Sequence, residues 1–169
     1  MIRSSLVTCL LGCVASGCIV YPHRAEIGDE RSVDFAGVDR VEVDTRNGAV
    51  EVLCQNGGGS LSLESTRHAR GMSEEEARTF AESIRVVTER DPARPRALRI
   101  AAEIPDGMND RSPGCEFRIE MPRGANILVR TRNGDVVLEG VRGDIDADTS
   151  NGKIQIDDAV GAVLSLIHI

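Results

Sequence analysis

The chain has 169 residues, a formal net charge of −7 and few aromatic side chains: no Trp, one Tyr and three Phe. An acidic chain lacks the cationic surface that nucleic acids require, and scarce aromatic rings leave few platforms on which bases can stack. These properties exclude nucleic acid as a partner and require a core of Val, Ile, Leu and Ala.

The N-terminus carries the pattern of a secretory signal. Arg3 supplies a positive charge, residues 6–14 form a mostly apolar run, and small residues lead to Gly17 and Cys18. The run is about half of the roughly 20 apolar residues that a membrane-spanning helix needs. The segment resembles the signal of bacterial lipoproteins, which implies cleavage between Gly17 and Cys18 and lipid on the Cys18 thiol. An uncut anchor and plain secretion are the alternatives.

Lipidation would hold the protein firmly on a membrane. Each buried methylene of an acyl chain contributes about 0.8 kcal/mol, and lipoproteins carry two or three chains. Ile19, rather than Asp, follows the lipidated position, which favours the outer membrane. We therefore predict a signal peptide over residues 1–17, a lipidated tether over 18–37, and a cell-envelope protein that meets the membrane through its N-terminal lipid.

Two cysteines remain in the predicted mature domain. Cys54 and Cys115 would lie in the oxidising envelope, where an even number of thiols favours a disulfide. A bridge between them would close a loop of about 60 residues and contribute about 4 kcal/mol. Two separate free thiols are the alternative, and the sequence leaves both open.

A motif occurs three times, at residues 41–52, 127–138 and 145–156. The copies share the frame apolar-x-apolar-x-Thr-x-Asn-Gly-x-apolar-x-apolar, and the last two lie 18 residues apart. Alternation predicts two short strands in each copy, and Asn-Gly predicts the corner because both residues tolerate positive φ. The predicted corner residues are Asn47, Gly48, Asn133, Gly134, Asn151 and Gly152.

Two all-β architectures fit this repeat. Asn-Gly between alternating strands is the usual signal of a two-residue hairpin, which would produce an antiparallel meander. A fixed period instead indicates the rungs of a β-solenoid, in which Thr131 stacks on Thr149 and Asn133 on Asn151. We predict the solenoid, since a meander does not need identical residues at a fixed spacing.

Residues 54–121, between the first and second copies, are predicted to be an insertion that contains one short helix. Ser73 and Glu76 have the spacing of a capping box at a helix start. An apolar stripe follows at helical spacing: Ala77, Phe80, Ala81 and Ile84. Further strands are predicted at 61–66, 85–88, 97–104 and 116–121, with loops at 91–95 and 105–113.

The order of these elements resembles the toast-rack putative-adhesin family of bacterial envelope proteins, over roughly residues 38–163. The resemblance implies a single-stranded β-helix or toast-rack domain in the envelope. It also implies a role in adhesion or envelope stress, with no catalytic residues to carry over. The chain differs from the family in that only about two tandem rungs follow the insertion.

Residues 164–169 leave the repeat frame and read Leu-Ser-Leu-Ile-His-Ile. A common sequencing adapter encodes this hexapeptide when it is read in frame. We therefore expect a β-repeat domain over residues 38–163, followed by an adapter-derived end of a truncated gene. A natural end is the alternative.

The sequence offers little catalytic chemistry. The three histidines, His23, His68 and His168, do not have zinc-ligand spacing and do not form a Ser-His-Asp or Cys-His set. Three acidic residues resemble the start of a calcium loop but lack the Gly that such a loop needs, so we interpret them as a solvated strand face: Asp144, Asp146 and Asp148. We predict no catalytic residue, no metal and no cofactor.

These observations predict a non-enzymatic, structural or adhesin-like module that meets an envelope protein or a glycan. An envelope-stress sensor or regulatory module is the first alternative. A solenoid enzyme acting on polysaccharide is the second, and it would require clustered acidic and basic side chains on several rungs.

The lipid site can be tested by labelling cells with a fatty-acid analogue. Cys18→Ser should abolish incorporation into the protein, because the acceptor thiol is lost. Cys13→Ser should keep full labelling, since Cys13 would be removed with the signal peptide. Persistent labelling of the Cys18→Ser protein would place the lipid elsewhere.

Overall fold

The computed structural model describes residues 21–167, apart from the side chain of Asn109. The predicted signal peptide, Gly17, Cys18 and His168 lie outside the described residues. The elements within them are β1 (His23–Asp34), β2 (Arg40–Asn47), β3 (Val50–Gln55), β4 (Ser60–Gly71), α1 (Glu74–Ser83), β5 (Arg85–Asp91), β6 (Arg94–Glu103), a 3-10 turn (Asn109–Arg111), β7 (Gly114–Pro122), β8 (Asn126–Asn133), β9 (Val136–Glu139), β10 (Ile145–Asn151), β11 (Ile154–Asp157) and β12 (Val163–Ile167).

The strands form two six-stranded sheets. The first has the order β1-β4-β7-β3-β9-β11 and the second the order β12-β10-β8-β2-β6-β5. Each Asn-Gly corner joins a strand of the second sheet to a strand of the first, so the motif is not a hairpin. Equivalent strands of successive copies pair in parallel, with Thr131 beside Thr149 and Asn133 beside Asn151. The solenoid prediction is confirmed, and the antiparallel meander is wrong for the repeats.

The predicted insertion at residues 54–121 contributes a full turn to the solenoid. We number the rungs in stacking order: rung 1 is β6 and β7, rung 2 is β2 and β3, rung 3 is β8 and β9, and rung 4 is β10 and β11. Rung 2 pairs in parallel with rung 1 on one side and with rung 3 on the other. The first repeat copy therefore lies in the middle of the stack. Rung 1 is not recognisable as a copy of the motif, because its corner, at residues 104–113, contains the 3-10 turn in place of Thr-x-Asn-Gly.

The rest of the predicted insertion, together with β1, caps the rung 1 end of the solenoid; the cap is β1, β4, β5 and α1. β4 pairs antiparallel with β7, β1 with β4, and β5 with β6. The Ser73 hydroxyl caps α1 by accepting from the Glu76 backbone N–H at 3.1 Å, as predicted. The Glu76 carboxylate reaches one residue further than a capping box requires, to the Met72 N–H. Ala77 and Ala81 are fully buried against β1 and β4.

The segment predicted as a tether, residues 18–37, contains β1 and is a correction to the domain boundary. β1 pairs with β4 over twelve residues, from His23 opposite Gly71 to Asp34 opposite Ser60. The folded domain therefore begins near residue 23 instead of 38. An edge strand with one partner is rich in charged side chains, and this polarity resembles that of a linker.

The core lies between the two sheets and is built from the alternating apolar positions of the rungs. Val41 and Val43 of rung 2 face Val50 and Val52, and all four are at most 2% exposed. Burial of each such side chain contributes about 1.5–3 kcal/mol. Because the rungs are in register, every rung adds its own layer of apolar side chains to one continuous core.

Each repeat threonine bonds to the rung before it. The buried hydroxyls of Thr45, Thr131 and Thr149 donate to the carbonyls of Cys115, Gly48 and Gly134, at 2.8, 3.2 and 3.0 Å. A hydrogen bond of this kind contributes about 1 kcal/mol net, and leaving the hydroxyl unpaired would cost more. The threonines therefore fix the register at the point where the chain crosses between sheets.

The corner glycines are needed because neighbouring rungs approach each other closely, and not because the turn requires positive φ. Of the three, only Gly48 has positive φ, at 157° and thus close to extended backbone. A Cβ on Gly134 would lie 2.1 Å from the Gly48 carbonyl oxygen, and one on Gly152 would lie 2.1 Å from the Gly134 oxygen. Close approach of neighbouring rungs, and not a left-handed turn, excludes a side chain here.

The far end of the stack is apolar. β11 and β12 each have one paired neighbour within the described residues. Five large apolar side chains there are 44–62% exposed: Val160, Val163, Leu164, Leu166 and Ile167. Residues 164–167, which belong to the predicted adapter-derived end, extend the second sheet in register with β10; their origin stays a prediction. No helix among the described residues is long and apolar enough to cross a bilayer.

The requirement for glycine at the corners can be measured by urea unfolding followed with circular dichroism. Gly134→Ala should lower the free energy of unfolding by about 3 kcal/mol, the upper end of overpacking costs, because backbone on both rungs must move. Gly28→Ala, in the open on β1, is the matched control and should change stability little. Equal effects of the two substitutions would contradict the close-approach explanation.

Candidate functional site

The structure brings the predicted corner asparagines together as a ladder along one edge of the solenoid. The Asn151 amide donates to Asn133 Oδ1 at 2.8 Å, and Asn133 donates in turn to Asn47 Oδ1. The Asn47 amide completes the ladder by donating to the Pro113 carbonyl at 2.6 Å. The ladder therefore links rung 4 to the corner loop of rung 1 and holds this edge in one conformation.

A cleft opens where the ladder meets the corner loop of rung 1 and strand β4 of the cap. We call it the corner cleft. Its volume is about 480 Å³, within the range of small-ligand sites. Its lining residues come from β2, β4, β8 and the loop before β7: Arg46, Asn47, His68, Ser112, Pro113, Arg132 and Asn133.

Two arginines give the cleft positive charge. Arg46 and Arg132 immediately precede Asn47 and Asn133, which pair in parallel, so the two arginines lie side by side on adjacent strands. The backbones of paired strands are about 4.8 Å apart. Both side chains are exposed. Within the described residues the Arg132 guanidinium makes no ion pair, and its planar donor groups suit a carboxylate.

His68 forms the cap side of the cleft. It lies opposite Gly114 on β7, and a Cβ on Gly114 would be 2.6 Å from its Nε2, so the glycine makes room for the ring. Burial, aided by Arg24, lowers the pKa of His68 below its ordinary value, although Glu116 and Glu26 oppose the shift. The imidazole is therefore neutral at pH 7, with one N–H donor and one acceptor nitrogen.

The cleft does not contain an assembled catalytic pair. His68 and Ser112 both line it, but no hydrogen bond joins them, and the buried His68 Nδ1 has no hydrogen-bond partner among residues 21–167. A general base needs such a partner to orient its ring. Across residues 21–167, no group of three or more His, Cys, Asp or Glu side chains is placed to hold a metal ion. The arrangement offers positive charge and hydrogen-bonding groups.

Asn47 and Asn133 are predicted from the sequence as corner residues, but the cleft that they line is not predicted. Ser112 lies in a loop without a motif, and its φ of 46° places it in the left-handed region, where strain is common near functional sites. His68 comes from a strand that approaches the ladder only through the pairing of β4 with β7. No local signal joins these residues.

The disulfide left open by the sequence does not form. Cys54 pairs with Met121 across β3 and β7, whereas Cys115 is six residues earlier on β7. At about 3.3 Å per residue the two thiols are about 20 Å apart, and a disulfide needs Cα atoms within about 7 Å. Both cysteines are free and buried. Burial raises the pKa of Cys54 to about 11 and that of Cys115 to about 12.

Of the three acidic residues predicted to form a solvated face, Asp146 and Asp148 lie at half-buried positions on the outer face of β10, and Asp144 lies just before the strand. Arg130 of β8 lies between Asp44 of β2 and Asp148 of β10 in the same row. Asp146 occupies the preceding outward position on β10. An arginine between two carboxylates neutralises part of their charge, which makes this row a poor site for a cation.

The chain matches no family model and no curated protein. Among solved structures it is similar to a putative adhesin from Bacteroides fragilis NCTC 9343, with 13% identity and a TM-score of 0.47, over 83% of this chain and 59% of that one. It is also similar to a putative cell adhesion protein from Clostridium sporogenes ATCC 15579, with 8% identity and a TM-score of 0.38, over 85% of this chain and all of that one. The chain thus spans less than two thirds of the Bacteroides protein.

The two cysteines should resist alkylation in the folded protein. At pH 8 a thiol with a pKa of about 11 is ionised in only about one molecule in 1000, and burial also blocks the reagent. Site-resolved mass spectrometry after iodoacetamide treatment should find Cys54 and Cys115 unmodified in buffer and fully modified in urea. Rapid modification of the folded protein, or a disulfide-linked peptide pair, would contradict this placement.

Proposed function

We propose that this protein is a non-enzymatic, lipid-anchored module of the bacterial cell envelope that binds a partner in an adhesin-like manner. The corner cleft is the observation that carries the proposal. It presents two arginines, a neutral imidazole and a hydroxyl from several elements of a rigid fold, with no assembled catalytic pair.

The solenoid suits a binding role because it holds the cleft in place before a ligand arrives. The threonine bonds and the asparagine ladder fix the rungs that carry Arg46 and Arg132. A preorganised site loses little conformational entropy on binding, so even a small number of contacts can give useful affinity. The cap supplies His68, which means that the cleft exists only when cap and rungs are both folded.

The composition of the cleft argues against hydrolysis of polysaccharide. Most glycosidases place two carboxylates on either side of the scissile bond. None of the residues lining the corner cleft is Asp or Glu. A carbohydrate in this cleft would meet groups that bind it but would lack the acid and the base that cleave it.

The N-terminal residues determine how the domain would sit on a membrane. The Tyr21 hydroxyl donates to Asp110 at 2.7 Å, and the Arg111 guanidinium lies over the Tyr21 ring at 4.0 Å. With lipid on Cys18, the fixed Tyr21 backbone would lie within about 11 Å of the anchored residue. Because Ser112 directly follows Arg111, the corner cleft would open beside the membrane surface.

The role can be tested with cells that lack the gene and are complemented with variants, by counting those retained on glycan-coated surfaces under flow. Wild-type protein should increase retention, and Cys18→Ser should lose the gain because unanchored protein leaves the cell. Cys13→Ser keeps the predicted lipid site and serves as the matched control.

Two outcomes would contradict the proposal. Equal retention with and without the gene would remove the adhesin-like role. Release of soluble sugar from the coating by purified protein would instead identify an enzyme.

A further inference from the structure

We infer that the corner cleft binds the carboxylate of an acidic sugar in an envelope polysaccharide, with Arg132 and Arg46 as the anion-binding pair. The inference rests on the proposed binding function and names the ligand class for the same site. It is carried by the charge, hydrogen-bonding groups and size of the cleft.

Charge favours a single anionic group. A single guanidinium can bind both oxygens of a carboxylate through two parallel N–H bonds, which is the geometry that arginine favours, and the neighbouring guanidinium adds positive charge. The chain as a whole has a formal charge of −7, so at longer range it repels a polymer with a charge on every unit more than one with isolated charges. A local pair of cations in an acidic protein therefore suits one carboxylate better than a phosphate-rich polymer.

The remaining cleft groups favour a ligand rich in hydroxyls. The Ser112 hydroxyl donates and accepts, as sugar hydroxyls do. His68 can offer only Nε2, because Nδ1 is buried, and Nε2 of the neutral ring donates or accepts according to the tautomer. Pro113 is the only wholly apolar residue in the lining. A peptide ligand would require apolar pockets for its side chains or a free strand edge, and the cleft provides neither of these.

An anionic membrane is a weaker candidate, although the cleft would open near the lipid anchor. Three consecutive carboxylates, Glu74, Glu75 and Glu76, begin α1, and Gly71 at the end of β4 lies against this same turn of the helix. They would approach a negatively charged surface together with the cleft and would be repelled by it. A sugar polymer beside the membrane presents isolated carboxylates without this opposing surface.

The size of the cleft sets the length of the ligand. A volume of about 480 Å³ suits one or two sugar rings and excludes a long buried segment of polymer. Binding should therefore be local to one acidic residue and weak for each site. Many anchored copies on one cell would strengthen attachment through avidity.

Titration of the purified chain with digalacturonate tests the inference by isothermal calorimetry. Binding should be saturable and should weaken about tenfold or more in Arg132→Gln, because a charged hydrogen bond is lost. Arg132→Lys should retain part of the affinity. Arg96→Gln, which removes another exposed charge, beside Asp39 and away from the cleft, should bind like wild type.

Three further ligands test which chemical class of ligand the cleft binds. The neutral digalactose and inorganic phosphate should not compete with digalacturonate, and phosphatidylglycerol vesicles should not bind. Equal binding of digalactose, or an Arg132→Gln protein with wild-type affinity, would overturn the carboxylate assignment. Binding of vesicles or phosphate through Arg132, without binding of digalacturonate, would assign the cleft to a headgroup instead.

Cell retention separates this inference from the proposed function. If the ligand assignment alone is wrong, Arg132→Gln cells should still be retained like wild-type cells. If the adhesin-like role is wrong, the wild-type gene itself will give no gain in retention, whatever the calorimetry shows.

Discussion

The contact between neighbouring rungs at their corners is the constraint on which this fold depends. Each corner glycine approaches the carbonyl of the preceding rung so closely that a Cβ would be about 2.1 Å from its oxygen. The threonine two positions before the asparagine donates to that same carbonyl. One short motif thus sets both the spacing and the register of the stack, and the apolar layers of the core align as a consequence.

The ends of such a solenoid must be covered. Each rung pairs its backbone N–H and C=O groups and packs its apolar side chains against the next rung, so an end rung exposes both. At one end the chain provides antiparallel strands: β4 covers rung 1 in the first sheet, β1 follows as a charged edge, and β5 covers the second sheet. At the other end β11 and β12 carry exposed apolar side chains, such as Val163 and Leu164. The rung 1 end is therefore covered by antiparallel strands with a charged edge, whereas the rung 4 end is made of parallel strands with exposed apolar side chains.

The candidate site arises where the repeat pattern is interrupted. Rungs 2 and 3 supply Arg46 and Arg132 at matching positions, while the cap and the irregular corner of rung 1 supply His68 and Ser112. A regular stack presents the same groups along its whole length, so it offers ladders but no concave site. The longer corner of rung 1 opens the cleft, and the asparagine ladder holds one wall of it in place.

The sequence by itself determined the local elements. Alternation located the paired strands of the three copies, the interval of 18 residues predicted parallel stacking, and Ser73 marked the start of the helix, because these signals depend on neighbours in the chain. Only the tertiary structure decided that residues 54–121 supply rung 1 and most of the cap, that β1 belongs to the domain, and that Cys54 and Cys115 are about 20 Å apart. The corner cleft also depends on the tertiary structure, since His68 and Arg132 are brought together by strand pairing between distant segments. Pairing between distant segments depends on how the complete sheets pack together. No pattern of neighbouring residues in one sequence predicts it.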